Sequence, residues 1–146
     1  SKENHEVINF LGHTGSVFAV NFSQNQQFLL SSSEDNSIRL WSLETRSNLV
    51  KYSGHNFPVW DVKFSNIGLY FVSGGNDRTA RIWRTDYHYP LRIFMGHTSD
   101  VDVCIFHPNS AYIATGSSDR TVRLWNMSEG ACEKIFMEHS SRITSL

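Results

Sequence analysis

The stretch that decides the fold is GHTSDVDVCIFHPNSAYIATGSSDRTVRLW, residues 96–125. Its segments rich in β-branched, aromatic and aliphatic residues predict short strands over residues 101–106, over residues 111–114 and in the segment ending at residue 125. A Pro-Asn-Ser turn at residues 108–110 separates the first two strands. A small polar run at residues 115–118 then leads into a second turn at Asp119. Short strands joined by turn residues predict an antiparallel meander.

The same layout occurs three times along the chain. Gly-His is found at positions 12–13, 54–55 and 96–97, a constant step of 42 residues. The three copies align without any insertion, and seven positions (columns of this alignment) hold the same residue in all of them. In the first copy these residues are Gly12, His13, Val17, Phe22, Asp35, Arg39 and Trp41. A fixed period of this length is typical of repeat proteins, in which each repeat is one supersecondary unit.

The repeat resembles the WD-repeat family, whose signature is Gly-His, a strand, a turn Asp and a strand that ends in Trp-Asp. The final Asp is replaced here, because Trp41, Trp83 and Trp125 are followed by Ser, Arg and Asn. The resemblance implies an all-β fold built from four-stranded blades of a β-propeller, with repeats at residues 12–53, 54–95 and 96–137. Residues 1–11 then match the last strand of a preceding blade, and residues 138–146 match the start of a further repeat.

Three blades are fewer than the roughly four to eight that close a propeller ring. An unclosed array leaves apolar sheet faces and strand edges uncovered. We therefore expect these blades to be part of a larger propeller, of about seven blades by resemblance, or to self-associate.

Composition and charge exclude several classes of protein. The formal net charge is −1, and a protein that binds nucleic acid through its phosphates normally carries a basic excess. The sequence contains neither an apolar run long enough to span a membrane nor a signal-peptide pattern. With two cysteines, Cys104 and Cys132, it predicts free, buried thiols in a reducing compartment and no disulfide framework.

Each repeat also carries a histidine, a hydroxyl residue, an aspartate and a tryptophan. Ser, His and Asp together raise the hypothesis of a hydrolase triad, but a triad needs one exposed nucleophile per site, whereas three equivalent copies favour a structural role. The resemblance implies a buried hydrogen-bonded tetrad in each blade. The three tetrads are His13, Ser31, Asp35, Trp41; His55, Ser73, Asp77, Trp83; and His97, Thr115, Asp119, Trp125. We expect no enzymatic activity, no cofactor and no metal site, since the histidines lie on different blades and no Cys/His cluster has ligand spacing.

Three arginines precede the repeated tryptophans by two residues: Arg39, Arg81 and Arg123. That spacing places them on the same strand face as the tryptophans. A row of ligand-binding arginines is one interpretation. We favour the other, in which each stem packs between blades and each guanidinium bonds locally.

Binding specificity is expected where residues vary within the constant frame. One variable column, five residues after each His, holds Phe18, Trp60 and Asp102; the other, just before each turn Asp, holds Glu34, Asn76 and Ser118. In WD-repeat propellers both columns face the same rim, which predicts a protein-binding rim here. Trp60 has two interpretations, a contact residue for a partner or part of the core between blades.

The second repeat has one feature of its own. Its fourth strand is preceded by the aromatic loop DYHYP at residues 86–90, and the other two copies have nothing similar there.

Longer strings carry a more specific resemblance. They are PVWDVKF (58–64), YFVSGGNDRTARIW (70–83), YPLRIFMGHTSDVD (89–102) and FHPNSAYIATGSSDRTVRLW (106–125). They are similar to the WD-repeat domains of TBP-associated factors in TFIID and SAGA-type complexes. That resemblance implies a non-catalytic scaffold in the nucleus that contacts histone-fold protein subunits, without direct contact to nucleic acid or membrane. The alternative is a substrate-receptor propeller of a ubiquitin ligase, which would hold peptides on the same rim and carry an adaptor motif such as an F-box.

Overall fold

The computed structural model describes residues 7–137, and this part of the chain is all β. No helix in this range is long and apolar enough to cross a membrane. Residues 7–137 contain twelve strands: β1 (Val17–Phe22), β2 (Phe28–Ser33), β3 (Ser37–Ser42), β4 (Ser47–Ser53), β5 (Val59–Phe64), β6 (Tyr70–Gly75), β7 (Thr79–Arg84), β8 (Arg92–Met95), β9 (Val101–Phe106), β10 (Tyr112–Ser117), β11 (Val122–Asn126) and β12 (Cys132–Phe136). They form three antiparallel sheets in chain order, β1–β4, β5–β8 and β9–β12, here named blades 1, 2 and 3. The predicted all-β fold of three four-stranded blades is confirmed.

Strand β10 differs from its sequence-based prediction. It extends from Tyr112 to Ser117 and so includes most of the polar run at residues 115–118, which we predicted to follow the strand. Thr115 and Ser117 are completely buried. Small hydroxyl residues fit inside this sheet because both have partners: Thr115 accepts a bond from Trp125, and Ser117 donates to the carbonyl of Ser99.

Residues 7–13 precede blade 1 and belong to no strand. The last strand of a preceding blade at residues 1–11 stays a prediction. The ring of Phe10 nevertheless packs on Trp41 at 5.5 Å between centroids, as Phe94 packs on Trp125 at 5.5 Å. Residues 1–6 of that prediction, and the further repeat predicted at residues 138–146, lie outside the described residues.

The hydrophobic core lies between successive blades. Because side chains alternate along a strand, Phe71 of β6 belongs to the cluster shared with blade 1, whereas its neighbour Val72 belongs to the cluster shared with blade 3. The first cluster joins Leu30, Ile38, Leu40 and Tyr52 of blade 1 to Val59, Val62, Phe71 and Trp83 of blade 2. The second joins Val72, Ala80, Ile82 and Phe94 of blade 2 to Val101, Cys104, Phe106, Ile113 and Trp125 of blade 3. Each blade therefore needs neighbours to bury its faces.

The first strand of each blade is an edge strand, and in blades 2 and 3 a side chain from the preceding blade caps it. Asn21 Oδ1 accepts a bond from the Phe64 amide at 2.9 Å, and Asp61 Oδ2 accepts one from the Cys104 amide at 3.0 Å. Backbone donors on a strand edge would otherwise be unpaired, so these caps fix the spacing of the blades.

The two cysteines are free, but only one of them is fully buried. Burial and the neighbouring Asp61 raise the pKa of the Cys104 thiol well above its ordinary value. Cys132 on β12 is only partly buried, so the prediction that both would be buried is wrong for this residue. Strand β12 is the outer edge of blade 3, which leaves its side chains closer to solvent.

The outer faces of the array are uncovered. Val17 of β1 is about half exposed, whereas the equivalent Val59 and Val101 are completely buried. Phe22 of β1 is also more than half exposed, whereas the equivalent Phe106 is buried. On the other side, Phe136 of β12 is 52% exposed, although the equivalent Phe94 is buried against blade 3. Each exposed position corresponds to a residue that packs on a neighbouring blade elsewhere in the array.

Candidate protein-binding rim

Each blade contains a hydrogen-bonded chain that joins its Trp to its turn Asp. In blade 2, Trp83 Nε1 lies 2.8 Å from Ser73 Oγ, that oxygen lies 2.7 Å from His55 Nε2, and His55 Nδ1 lies 2.6 Å from Asp77 Oδ2. An indole N–H only donates, so the serine oxygen accepts from it and donates its own proton to Nε2. The imidazole then keeps its proton on Nδ1 and donates it to the carboxylate. The other blades repeat this chain with distances of 2.6–2.9 Å.

These distances fit a neutral imidazole, and the hydroxyl of the chain is not accessible as a nucleophile. Burial lowers the pKa values of His55 and His97, which favours their neutral form. The hydroxyls of Ser73 and Thr115 are completely buried and already accept a bond from a tryptophan. Within residues 7–137 no group of three or more His, Cys, Asp or Glu side chains is arranged to hold a metal ion. The geometry is that of a buried hydrogen-bonded chain that stabilises each blade.

The turn aspartate joins two loops. Asp119 Oδ1 accepts bonds from the Thr121 amide and hydroxyl at 2.9 and 2.6 Å, while Oδ2 accepts from His97 and from the Thr98 amide at 3.1 Å. Burial alone would raise the pKa of Asp119, but the bonds from Thr121 and His97 outweigh it and lower the pKa to about 2. The ionised carboxylate ties the β10–β11 turn to the loop that precedes β9.

The repeated glycine and arginine pack around the tryptophan. A Cβ added to Gly54 would lie only 2.8 Å from the Trp83 ring, so no larger residue fits without displacing that ring. Arg81 Nη1 donates to the Gly54 carbonyl at 2.7 Å, and Arg39 donates to the Asn48 side chain. Arg39 and Arg81 bond locally, as we favoured from the sequence, and the Arg123 guanidinium lies 6.0 Å from the centre of the Trp125 ring.

The first predicted rim column lies on β-bulges. The pairing of each first strand with the second skips one residue, and the three residues skipped are Phe18, Trp60 and Asp102. A bulge leaves its extra residue outside the regular ladder and re-aims its side chain. The three variable residues therefore occupy the same irregular position at the start of β1, β5 and β9.

The second predicted rim column is held beside the first by the backbone. The residue before each turn Asp donates its amide to the carbonyl of the residue preceding the first strand: Glu34 to Ser16, Asn76 to Pro58 and Ser118 to Asp100, at 2.8–3.1 Å. The Ser118 hydroxyl also donates to Asp102 at 2.6 Å. Glu34 is exposed. Both columns thus meet at one end of the strands.

Trp60 connects all three blades. Its ring lies 4.7 Å from that of Phe18 in blade 1, and its Nε1 donates to Asp100 Oδ2, at the start of blade 3, at 2.8 Å. Asn76 donates to the same oxygen at 3.0 Å. Since Trp60 is half-buried, it both packs between blades and presents part of its surface at the rim.

Two sets of rim residues were not predicted from the sequence. Asp100 occupies a third variable column, with Ser16 and Pro58 at the equivalent positions, and that variation was the available signal. Arg78 and Arg120, each two residues after a rim position, are exposed. The rim therefore mixes acidic groups with basic groups that lie outside the two predicted columns.

Meander blades with a buried tetrad and a bulged rim define a WD-repeat propeller protein. The protein-family model described as WD domain, G-beta repeat (WD40) matches residues 4–42, 46–84 and 88–126, so the chain belongs to this family.

Short stretches of the chain are similar to named transcription proteins. Over 43 residues it is 49% identical to transcription initiation factor TFIID subunit 5 of Caenorhabditis elegans, a match that covers 30% of this chain and 7% of that protein. Over 40 residues it is 57% identical to TFIID subunit 5 of Arabidopsis thaliana, covering 27% of this chain and 6% of that protein. The SAGA complex/transcription factor TFIID complex subunit Taf5 of Schizosaccharomyces pombe is 49% identical over 43 residues, which cover 30% of this chain and 7% of that protein. The matches therefore cover a small part of these relatives.

Proposed function

We propose that this protein is a non-catalytic scaffold, a WD-repeat subunit of a nuclear transcription complex of the TFIID or SAGA type. The observation that carries the proposal is the 49–57% identity to TFIID subunit 5 proteins over 40–43 residues. The longer strings around PVWDV and FHPNS support the same assignment. Its partners are other protein subunits, with histone-fold subunits as the class that the resemblance implies.

The rim is the surface that we assign to these partners. The tetrads and backbone bonds hold its variable residues in place before a partner arrives, which lowers the entropy cost of binding. Trp60 and Phe18 supply an aromatic anchor, and Asp100 adds a carboxylate beside it. Glu34 adds an exposed carboxylate at the same end of the strands. An apolar side chain with a basic neighbour is the partner segment that suits this arrangement.

The test compares Trp60→Ala with wild type in the full-length protein, by affinity purification from nuclear extract and by a melting curve. We expect TFIID- or SAGA-type subunits to co-purify with wild type, and Trp60→Ala to weaken that association by about 2 kcal/mol or more. Ile67→Ala is the control, because Ile67 is exposed and follows β5 at the other end of the blade.

Two results would contradict the proposal. Unchanged association with a lowered melting temperature would assign Trp60 to packing between blades alone. Recovery of ubiquitin-ligase adaptors in place of transcription-factor subunits would favour the alternative class.

A further inference from the structure

The β7–β8 loop of blade 2 exposes an apolar cluster that the other blades lack. Tyr87, Tyr89 and Leu91 are 50%, 65% and 50% exposed. The equivalent residues are Thr45, Ser47 and Leu49 in blade 1 and Glu129, Ala131 and Glu133 in blade 3. Neither WD-repeat geometry nor the tetrad requires two tyrosines here. Tyrosine clusters of this kind are enriched at protein interfaces.

The loop has a defined conformation. The Tyr87 amide donates to the Arg84 carbonyl at 3.1 Å, and the Leu91 amide donates to the Ile82 carbonyl at 2.7 Å. An ion pair of 2.7 Å joins Arg84 to Asp86 across the turn. The rings of Tyr87 and Tyr89 contact each other edge-on at 5.9 Å. A partner would therefore meet a preformed surface.

Leu91 also lines a groove of about 470 Å³ between blades 2 and 3. Tyr70, Ile82 and Met127 give this groove an apolar lining, and Arg92 lies at its side. Its volume falls in the range of roughly 300–1,000 Å³ that is usual for ligand sites. The groove can accept one large apolar side chain.

The charge beside the groove indicates what else the partner carries. Arg92 Nη2 donates to the neutral carbonyl of Ser128 at 2.7 Å, and among residues 7–137 no carboxylate forms an ion pair with Arg92. A Cβ added to Gly130 would lie only 2.5 Å from Arg92 Nη1, so the absence of a side chain at Gly130 leaves space for the guanidinium. Guanidinium groups bind carboxylates through two parallel hydrogen bonds.

This surface lies at the opposite end of the blade from the rim. Strands β5 and β7 run in the same direction, because each is antiparallel to β6. Trp60 is near the start of β5, whereas the loop follows the end of β7. One partner segment on the rim and another on this loop can therefore be bound together.

We propose that the β7–β8 loop and the adjacent groove form a second protein-binding surface, which takes an extended peptide segment carrying a large apolar side chain next to an Asp or Glu. The apolar side chain enters the groove against Leu91, the carboxylate binds Arg92, and Tyr89 packs on the peptide backbone. This surface does not depend on the identity of the complex proposed above.

The probe is a displayed library of random twelve-residue peptides, selected on the full-length protein, with affinities of the selected peptides measured by fluorescence anisotropy. We expect enrichment of a large apolar residue within two positions of Asp or Glu. Leu91→Ser and Arg92→Ala should each weaken those peptides by about tenfold or more. Leu49→Ser is the matched control, because Leu49 is the equivalent residue of blade 1 and is 48% exposed, and it should leave affinity unchanged.

Three results would overturn the proposal: no enrichment of an acidic–apolar motif, binding that Leu91→Ser does not weaken, or binding that Trp60→Ala abolishes while Leu91→Ser does not. The last result would place the peptides on the rim. Melting curves of all variants show whether any loss reflects unfolding.

Discussion

Replacing Asp119 by alanine should destabilise blade 3, because this carboxylate is the acceptor for four donors. They are His97 Nδ1 at 2.7 Å, the Thr98 amide at 3.1 Å, and the Thr121 amide and hydroxyl at 2.9 and 2.6 Å. The substitution removes all four bonds while leaving the tryptophan and the two hydrophobic clusters in place.

The size of the loss depends on which donors can find another acceptor. Thr98 is exposed, so water replaces the carboxylate at its amide. The Thr121 hydroxyl lies 3.2 Å from His97 Nδ1 and can accept that proton once the carboxylate is gone. The buried Thr121 amide keeps no partner, and a buried donor without an acceptor costs about 1–3 kcal/mol. We therefore expect a loss of about 1–3 kcal/mol rather than a multiple of it.

The assay is urea unfolding of wild type and Asp119→Ala at one protein concentration, because self-association shifts apparent stability. Glu34→Ala is the matched control: it removes an exposed carboxylate beside the turn Asp of blade 1, and should change stability by no more than about 0.5 kcal/mol. If Asp119→Ala unfolded like Glu34→Ala yet abolished a measurable hydrolytic turnover, the structural interpretation of the tetrad would be refuted.

Three further predictions concern pH, packing and the outer faces. Because burial lowers the pKa of folded His97 from 6.5, the unfolded chain binds that proton first, so the free energy of unfolding in urea titrations should fall as pH drops below about 6.5. A second loss should follow between about pH 4 and about pH 2, where Asp119, with a folded pKa of about 2 against an ordinary 3.8, becomes protonated. Gly54→Ala should lower thermal stability by about 1–3 kcal/mol, since its Cβ would lie 2.8 Å from Trp83. Sedimentation of residues 1–146 alone should show self-association that Phe136→Asp reduces, because this half-exposed ring corresponds to buried Phe94; a stable monomer would contradict this expectation.

The constant columns of the repeat were sufficient to predict the blades. A period of 42 residues, with turn residues at fixed offsets, predicted the positions of three meanders, and the strand predicted over residues 101–106 is observed as β9 with the same bounds. Strand β10 differs from its prediction. It includes Thr115 and Ser117, because their hydroxyls have partners inside the blade. Local composition cannot report such bonds. The tetrad itself followed from the family resemblance, and its residues lie within one blade.

The rim required the tertiary structure. Sequence spacing grouped Phe18, Trp60 and Asp102, but only strand pairing showed that each is the extra residue of a bulge. Spacing also could not show that Trp60 packs on Phe18 and donates to Asp100, since these partners lie about forty residues away on other blades. Contacts among the constant residues of a blade recur every 42 residues, so one copy of the repeat is enough to predict them in the others. Contacts between blades join variable columns, so each depends on the particular pair of side chains that the fold brings together.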